Sequence, residues 1–105
     1  MALISENYSL VVSDEAKEDI RNYIYTIRNV FDAPKTAKKH YEELIALLEK
    51  IEKYPTAFSE RTTAFLLQYG NNVRRVNYKK MAIIYTIDGL EVYVHRIMPA
   101  SMIID

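Results

Sequence analysis

Eight side chains in the last third of the chain have the chemistry to act on an anion: Arg74, Arg75, Tyr78, Lys79, Lys80, Tyr85, His95 and Arg96. No Asp or Glu stands between Glu60 and Asp88, so the charges of Arg61, Arg74, Arg75, Lys79 and Lys80 are uncompensated along that stretch. The chain as a whole is neutral, with 14 basic and 14 acidic residues. A local excess of one sign nonetheless creates a usable field. In a ribonuclease, a His or Arg beside the scissile phosphate would move a proton or stabilise developing charge. The same residue types on an open surface would instead hold an anionic partner.

Strand alternation puts Arg74 and Arg75 on opposite faces, so at most one of them belongs to a given surface. In EVYVHRIM, Arg96 falls in phase with Val92 and Val94, where a structural strand prefers an apolar residue. It either joins the basic surface or pairs with a helix carboxylate at the sheet border. His95, in phase with Tyr93 and Ile97, reads first as a packed histidine and second as a proton shuttle.

Other chemistries find no residues to build on. Only Gly70 and Gly89 are glycine, which leaves no Gly-rich phosphate loop. There is no Cys, and His40 and His95 have no ligand spacing, so neither a metal site nor a cofactor is expected. Glu42 with Glu43, and Glu49 with Lys53, read as exposed helix-face charges, and His40 as a solvated one.

The elements that carry these residues emerge from periodicity. With 105 residues, half of them apolar, the chain suits one domain over 1–105. YSLVVS (8–13) predicts a strand and Ser13 a helix cap. Ala16, Ile20, Ile24, Ile27 and Phe31 then form one apolar stripe of a helix. Pro34 opens a second helix with Ala37, Tyr41, Leu44, Leu48 and Ile51 on its stripe, ending near Tyr54. AFLLQY (64–69) reads as a short strand and GNN (70–72) as a turn. Three strands come next, over 73–78, 80–87 and 91–98, with a hairpin at Asp88-Gly89. The prediction is an α+β fold: an N-terminal strand, then a helical hairpin packed on a twisted antiparallel sheet of about four strands. No apolar run approaches the length of a membrane span, and MALISENYSL has no leader character. A soluble cytoplasmic protein is the expectation.

In this order and spacing the segments resemble the RelE/ParE superfamily of bacterial type II toxin-antitoxin (plasmid stabilisation) toxins. YSLVVSDEAKEDIRNYI is similar to the family's first strand and helix, and APKTAKKHYEELIALLEKIEKYP to its second helix. VRRVNYKKMAIIYTID resembles its arginine-bearing strand and the strand that ends in an apolar-apolar-Tyr, and VYVHRIM its last strand. The resemblance implies a cognate antitoxin as partner, in a hetero-oligomer, and one of two activities. RelE-like members cleave mRNA on the ribosome; ParE-like members poison DNA gyrase by binding it.

RelE-like nucleases usually carry an Arg three residues before the Tyr that matches Tyr85, and here that position is Ala82. They also have basic or aromatic groups after the last strand, whereas this tail is PASMIID. Both departures set the chain nearer the ParE or plasmid-stabilisation branch, with Arg74, Arg75, Tyr78, Lys79, Lys80, Tyr85 and Arg96 as contact residues for target or antitoxin. The alternatives are a nuclease using Arg74, Arg75, Lys79, Lys80 and His95, and an inactive homologue that only binds antitoxin. The tail also departs from the basic, Asp-containing stretch common in ParE-like members.

Overall fold

The protein is described by a computed structural model over residues 7–104. The opening MALISE and the terminal Asp105 lie outside the described residues, and part of the reading of the leader and tail falls on them.

Ser13 starts the helical layer as its sequence position predicts. Its Oγ accepts from the Ala16 N–H at 3.0 Å and donates to the His95 carbonyl at 2.8 Å, so one hydroxyl caps the helix and ties it to the sheet. Asp14 and Glu15 occupy the first turn of α1 (Asp14–Tyr25), where the helix dipole favours negative charge. The helix does not run on to Phe31 in regular form. Thr26–Val30 make a π-helical turn, which widens the helix locally and rotates Phe31 off the apolar stripe. Phe31 is accordingly 71% exposed.

Pro34 is the first residue of α2 (Pro34–Lys53), which stops just before Pro55. Ala37, Leu44, Leu48 and Ile51 are buried as the stripe predicts. Tyr41, on the same stripe, is largely exposed because it lines an open cavity with Ile20, Ile24 and Tyr25 instead of meeting the sheet.

Four strands form the sheet: β1 (Ser9–Val12), β2 (Arg74–Tyr78), β3 (Met81–Asp88) and β4 (Glu91–Pro99), in the order β1-β4-β3-β2. Two short hairpins make β2, β3 and β4 antiparallel. Gly89 supplies the second hairpin with a φ of 59°, a left-handed conformation that costs glycine little. β1 runs parallel to β4, so the sheet is mixed where an antiparallel one is expected. Both helices intervene between β1 and the other strands, and no local turn sets its direction.

The sheet is covered on both faces. Ala16, Leu44, Leu48 and Ile51 of the helices pack on Val76, Ile83, Tyr85, Val92, Val94 and Ile97. On the second face Leu66, Val73 and Ile103 cover Ala82, Ile84 and Met98. The cover there is a helical turn, α3 (Ala64–Leu67), and not the strand expected for AFLLQY. The second face of β3 is apolar and needs burying, and one helical turn drops Leu66 onto it, fully buried.

The register between β3 and β4 pairs Ile84 with Arg96 and Tyr85 with Val94, skipping His95. This bulge breaks the phase that would align Arg96 with Val92 and Val94. β1 ends opposite Val94, and past that point Asp19 of α1 takes over. Its carboxylate accepts from the Ile97 N–H at 2.9 Å and from Arg96 Nε and Nη2 at 2.8 and 3.0 Å. Of the two readings of Arg96, the geometry realises the helix–sheet ion pair.

Replacing Asp19 by Ala removes three charge-assisted hydrogen bonds and leaves the Ile97 N–H without a partner. Because the site is partly open to solvent, a loss of about 2–3 kcal/mol is expected. Urea denaturation should show it as a lower midpoint at unchanged m-value, with Asp19→Asn in between.

Candidate functional site

The strand pair that opens the basic stretch is engaged within the fold. Arg74 stands opposite Tyr85 in the register of β2 and β3. Only 13% of its side chain is exposed. One guanidinium nitrogen donates to the carbonyls of Phe58 and Thr56, and the other meets Glu60 Oε1 at 3.3 Å. Tyr85 is fully buried, and its hydroxyl donates to the Pro55 carbonyl at 2.6 Å. Burial pushes the phenol up to about 12, against a smaller opposite pull from Arg74. These two residues therefore hold the segment between α2 and α3, whose backbone carbonyls would otherwise lack donors.

Arg75 lies opposite Ile84, on the second face, with Nε donating to Asn77 Oδ1 at 3.0 Å. His95 lies beside the rings of Tyr69 and Tyr93, with centroids 5.4 and 4.7 Å away, and its Nε2 is 2.8 Å from Thr86 Oγ1. Burial lowers its pKa, because desolvation disfavours the charged imidazole. Arg96 is tied to Asp19, with Glu15 Oε2 at 3.6 Å, and the Asp19 hydrogen bonds raise its pKa.

Tyr78, Lys79 and Lys80 form the end of β2 and the turn into β3. Both lysines are exposed. The Tyr78 hydroxyl donates to Glu43 Oε1 of α2 at 2.7 Å. Its pKa is raised, first by burial and then by that carboxylate, while the same hydrogen bond lowers the pKa of Glu43. Tyr23 of α1 and His40 of α2 complete the cluster: Tyr23 Oη lies 3.0 Å from His40 Nδ1, and both rings pack against Tyr78. His40 is thus half-buried and hydrogen-bonded, where the sequence suggests a solvated charge.

The eight expected residues do not converge. They fall into a structural pair (Arg74, Tyr85), a border ion pair (Arg96), a face (Arg75, His95) and a turn (Tyr78, Lys79, Lys80). The partners that sequence reasoning missed, Tyr23, His40 and Glu43, lie more than 30 residues from the turn along the chain and share no motif with it. Among the described residues no group of three or more His, Cys, Asp or Glu is arranged to hold a metal ion, and no helix is long and apolar enough to cross a membrane.

A family model described as the ParE toxin of the type II toxin-antitoxin system parDE matches residues 10–104. The chain belongs to the ParE toxin family. As a member it is the toxin component of such a system, and the family implies an antitoxin partner. The match takes in β1 from Leu10 onward and the whole of α1, α2, α3, β2, β3 and β4 of this ParE-family chain. Among solved structures it is similar to a chain of the chromosomal ParDE TA system from P. aeruginosa. That likeness has a TM-score of 0.69 at 18% identity and covers 89% of this chain and 96% of the other. At such identity the likeness shows the fold alone. No curated protein matches the chain.

Two measurements check the structural roles. Tyr85→Phe removes one buried hydroxyl and orphans the Pro55 carbonyl, for an expected loss of about 1–2 kcal/mol in chemical denaturation. For His95, the folded pKa lies below the unfolded value, so the unfolded chain binds more protons on the acid side. Stability is then full above the unfolded pKa of about 6.5 and falls as pH drops through the folded pKa. His95→Gln should flatten that acid-side slope.

Proposed function

We propose that this ParE-family chain arrests growth by binding a cellular protein, DNA gyrase being the target that its branch of the superfamily suggests, and that a cognate antitoxin neutralises it. The observation that carries this reading is the engagement of Arg74, Tyr85 and Arg96 within the fold. Binding needs a surface, whereas a nuclease needs free donors around one phosphate. Ala82 adds to the case: it is fully buried on the second face, so that position offers no group to a phosphate. His95 packs against Tyr69 and Tyr93, and burial disfavours its charged form.

The surface best suited to the antitoxin is the open side of the helical hairpin. Ile20, Ile24, Tyr25 and Tyr41 line a cavity of about 360 Å³ there, together with Arg28 and with Arg21, which is ion-paired to Glu18 at 2.6 Å. An apolar groove with Arg28 in its lining suits an amphipathic segment that carries an acidic residue and folds as it binds.

Expression of the chain alone, with DNA, RNA and protein synthesis measured over time, tests the reading. Induction of the DNA-damage response with intact mRNA is the expected result, and co-expression of the antitoxin should restore growth. Early translational arrest with cuts in ribosome-bound mRNA would establish the nuclease instead. Growth without any defect would leave an antitoxin-binding homologue. Arg75→Ala is a cleaner probe of the basic strand than a double substitution with Arg74, which would also release the 56–60 segment.

A further inference from the structure

NYSLVVS (7–13) holds no charged residue, no Pro and no Gly. Low charge, high strand propensity and the absence of proline are what let a segment pair with a copy of itself. β1 is drawn from this segment and forms one edge of the sheet. The opposite edge, β2, carries Arg74 and Arg75 and runs into Lys79 and Lys80, charges that repel those of a second copy brought alongside. Its start is also covered, since Glu60 bridges Arg74 and the Arg61 N–H donates to the Val73 carbonyl at 2.8 Å. β1 has no such charges of its own.

The hydrogen bonds of β1 identify its open side. The Ser9 N–H donates to the Leu90 carbonyl at 2.8 Å and the Ser13 N–H to the Val94 carbonyl at 3.0 Å. Backbone groups of successive strand residues point to alternate sides, so Leu10 turns its N–H away from β4. That N–H donates to Glu52 Oε2 at 2.8 Å, on a residue 42 positions further along the chain. The carboxylate oxygen stands where the carbonyl of an added strand would stand, at an ordinary hydrogen-bond distance. Glu52 is there against the preference of its own helix. It lies in the last turn of α2, with Lys50 and Lys53, where the helix dipole favours cations and disfavours an anion. Among the described residues it makes no ion pair.

We infer that Glu52 guards the edge of β1 and keeps the sheet from pairing edge to edge with a second copy of this chain. An incoming strand would have to displace the carboxylate from Leu10 and leave it in the new interface without a partner. A buried, unpaired charge is costly. Without Glu52, two β1 edges can meet antiparallel about a two-fold axis, each offering its outward backbone groups to the other. The inference goes beyond the growth-arrest reading and does not depend on it.

Sedimentation velocity over a concentration series, with thermal unfolding alongside, tests the guard. Glu52→Met keeps a good helix former of similar size but cannot accept from Leu10. It should sediment with about twice the wild-type mass at concentrations where the wild type keeps its own, as one two-fold pairing gives. Adding Val11→Lys puts a charge on the neighbouring exposed side chain and should return the mass to that of the wild type. Where Glu52→Met fails to fold, Glu52→Ala carries the same expectation. Wild-type mass at every concentration, with a lowered Tm, would overturn the proposal, because Glu52 would then serve stability alone. Association that Val11→Lys leaves unchanged would overturn it too, since another surface would be responsible.

Discussion

Where β1 ends opposite Val94, β4 runs on to Pro99, and the Asp19 carboxylate fills the space that a longer strand would occupy. One side chain thus accepts a strand N–H and a guanidinium fork together, which fixes α1 against β4 in both position and rotation. Much else hangs on that orientation. It sets where α2 returns, and α2 in turn brings Glu43 to Tyr78 and Glu52 to the N–H of Leu10 at the outer edge of β1. Carboxylates from the helices therefore accept strand N–H groups at two places, Leu10 and Ile97, and a strand hydroxyl at a third, Tyr78. An apolar helix–sheet interface alone would specify packing but not register, because hydrophobic contact has no direction.

The basic stretch, continuous along the chain, divides its charges among different tasks. Arg74 gathers carbonyls of the α2–α3 connection, and Tyr85 secures the same connection from the strand beside it. Arg75 faces the opposite side of the sheet, and the two lysines stand at the turn. A guanidinium suits the first task because its several donors can serve several carbonyls at once. Lysines at an exposed turn make no such structural bonds with their ammonium groups among the described residues. The division separates scaffold from surface.

Much of the fold was legible because its signals are local. The Ser13 cap, Pro34 at the start of α2, the stripe of Ala37, Leu44, Leu48 and Ile51, and the Asp88-Gly89 hairpin each depend on neighbours a few residues away. The misreadings share a different cause. AFLLQY has strand-like composition, yet the apolar second face of β3 takes it as a helical turn. Phe31 and Tyr41 keep the spacing of a buried stripe, yet a π-helical turn and an open cavity leave them exposed. The direction of β1 had no turn to announce it.

By itself, the sequence determined the helical hairpin, the positions of all four strands described, the antiparallel pairing of β2, β3 and β4, and the concentration of positive charge between Glu60 and Asp88. Periodicity and turn chemistry act over a few residues, so they survive without tertiary context. Only the tertiary structure decided which charges remain available. Arg96 meets Asp19 across 77 positions, Tyr85 meets Pro55 across 30 and Tyr78 meets Glu43 across 35. Partners that far apart leave no trace in spacing, because burial and packing select them after the elements have formed.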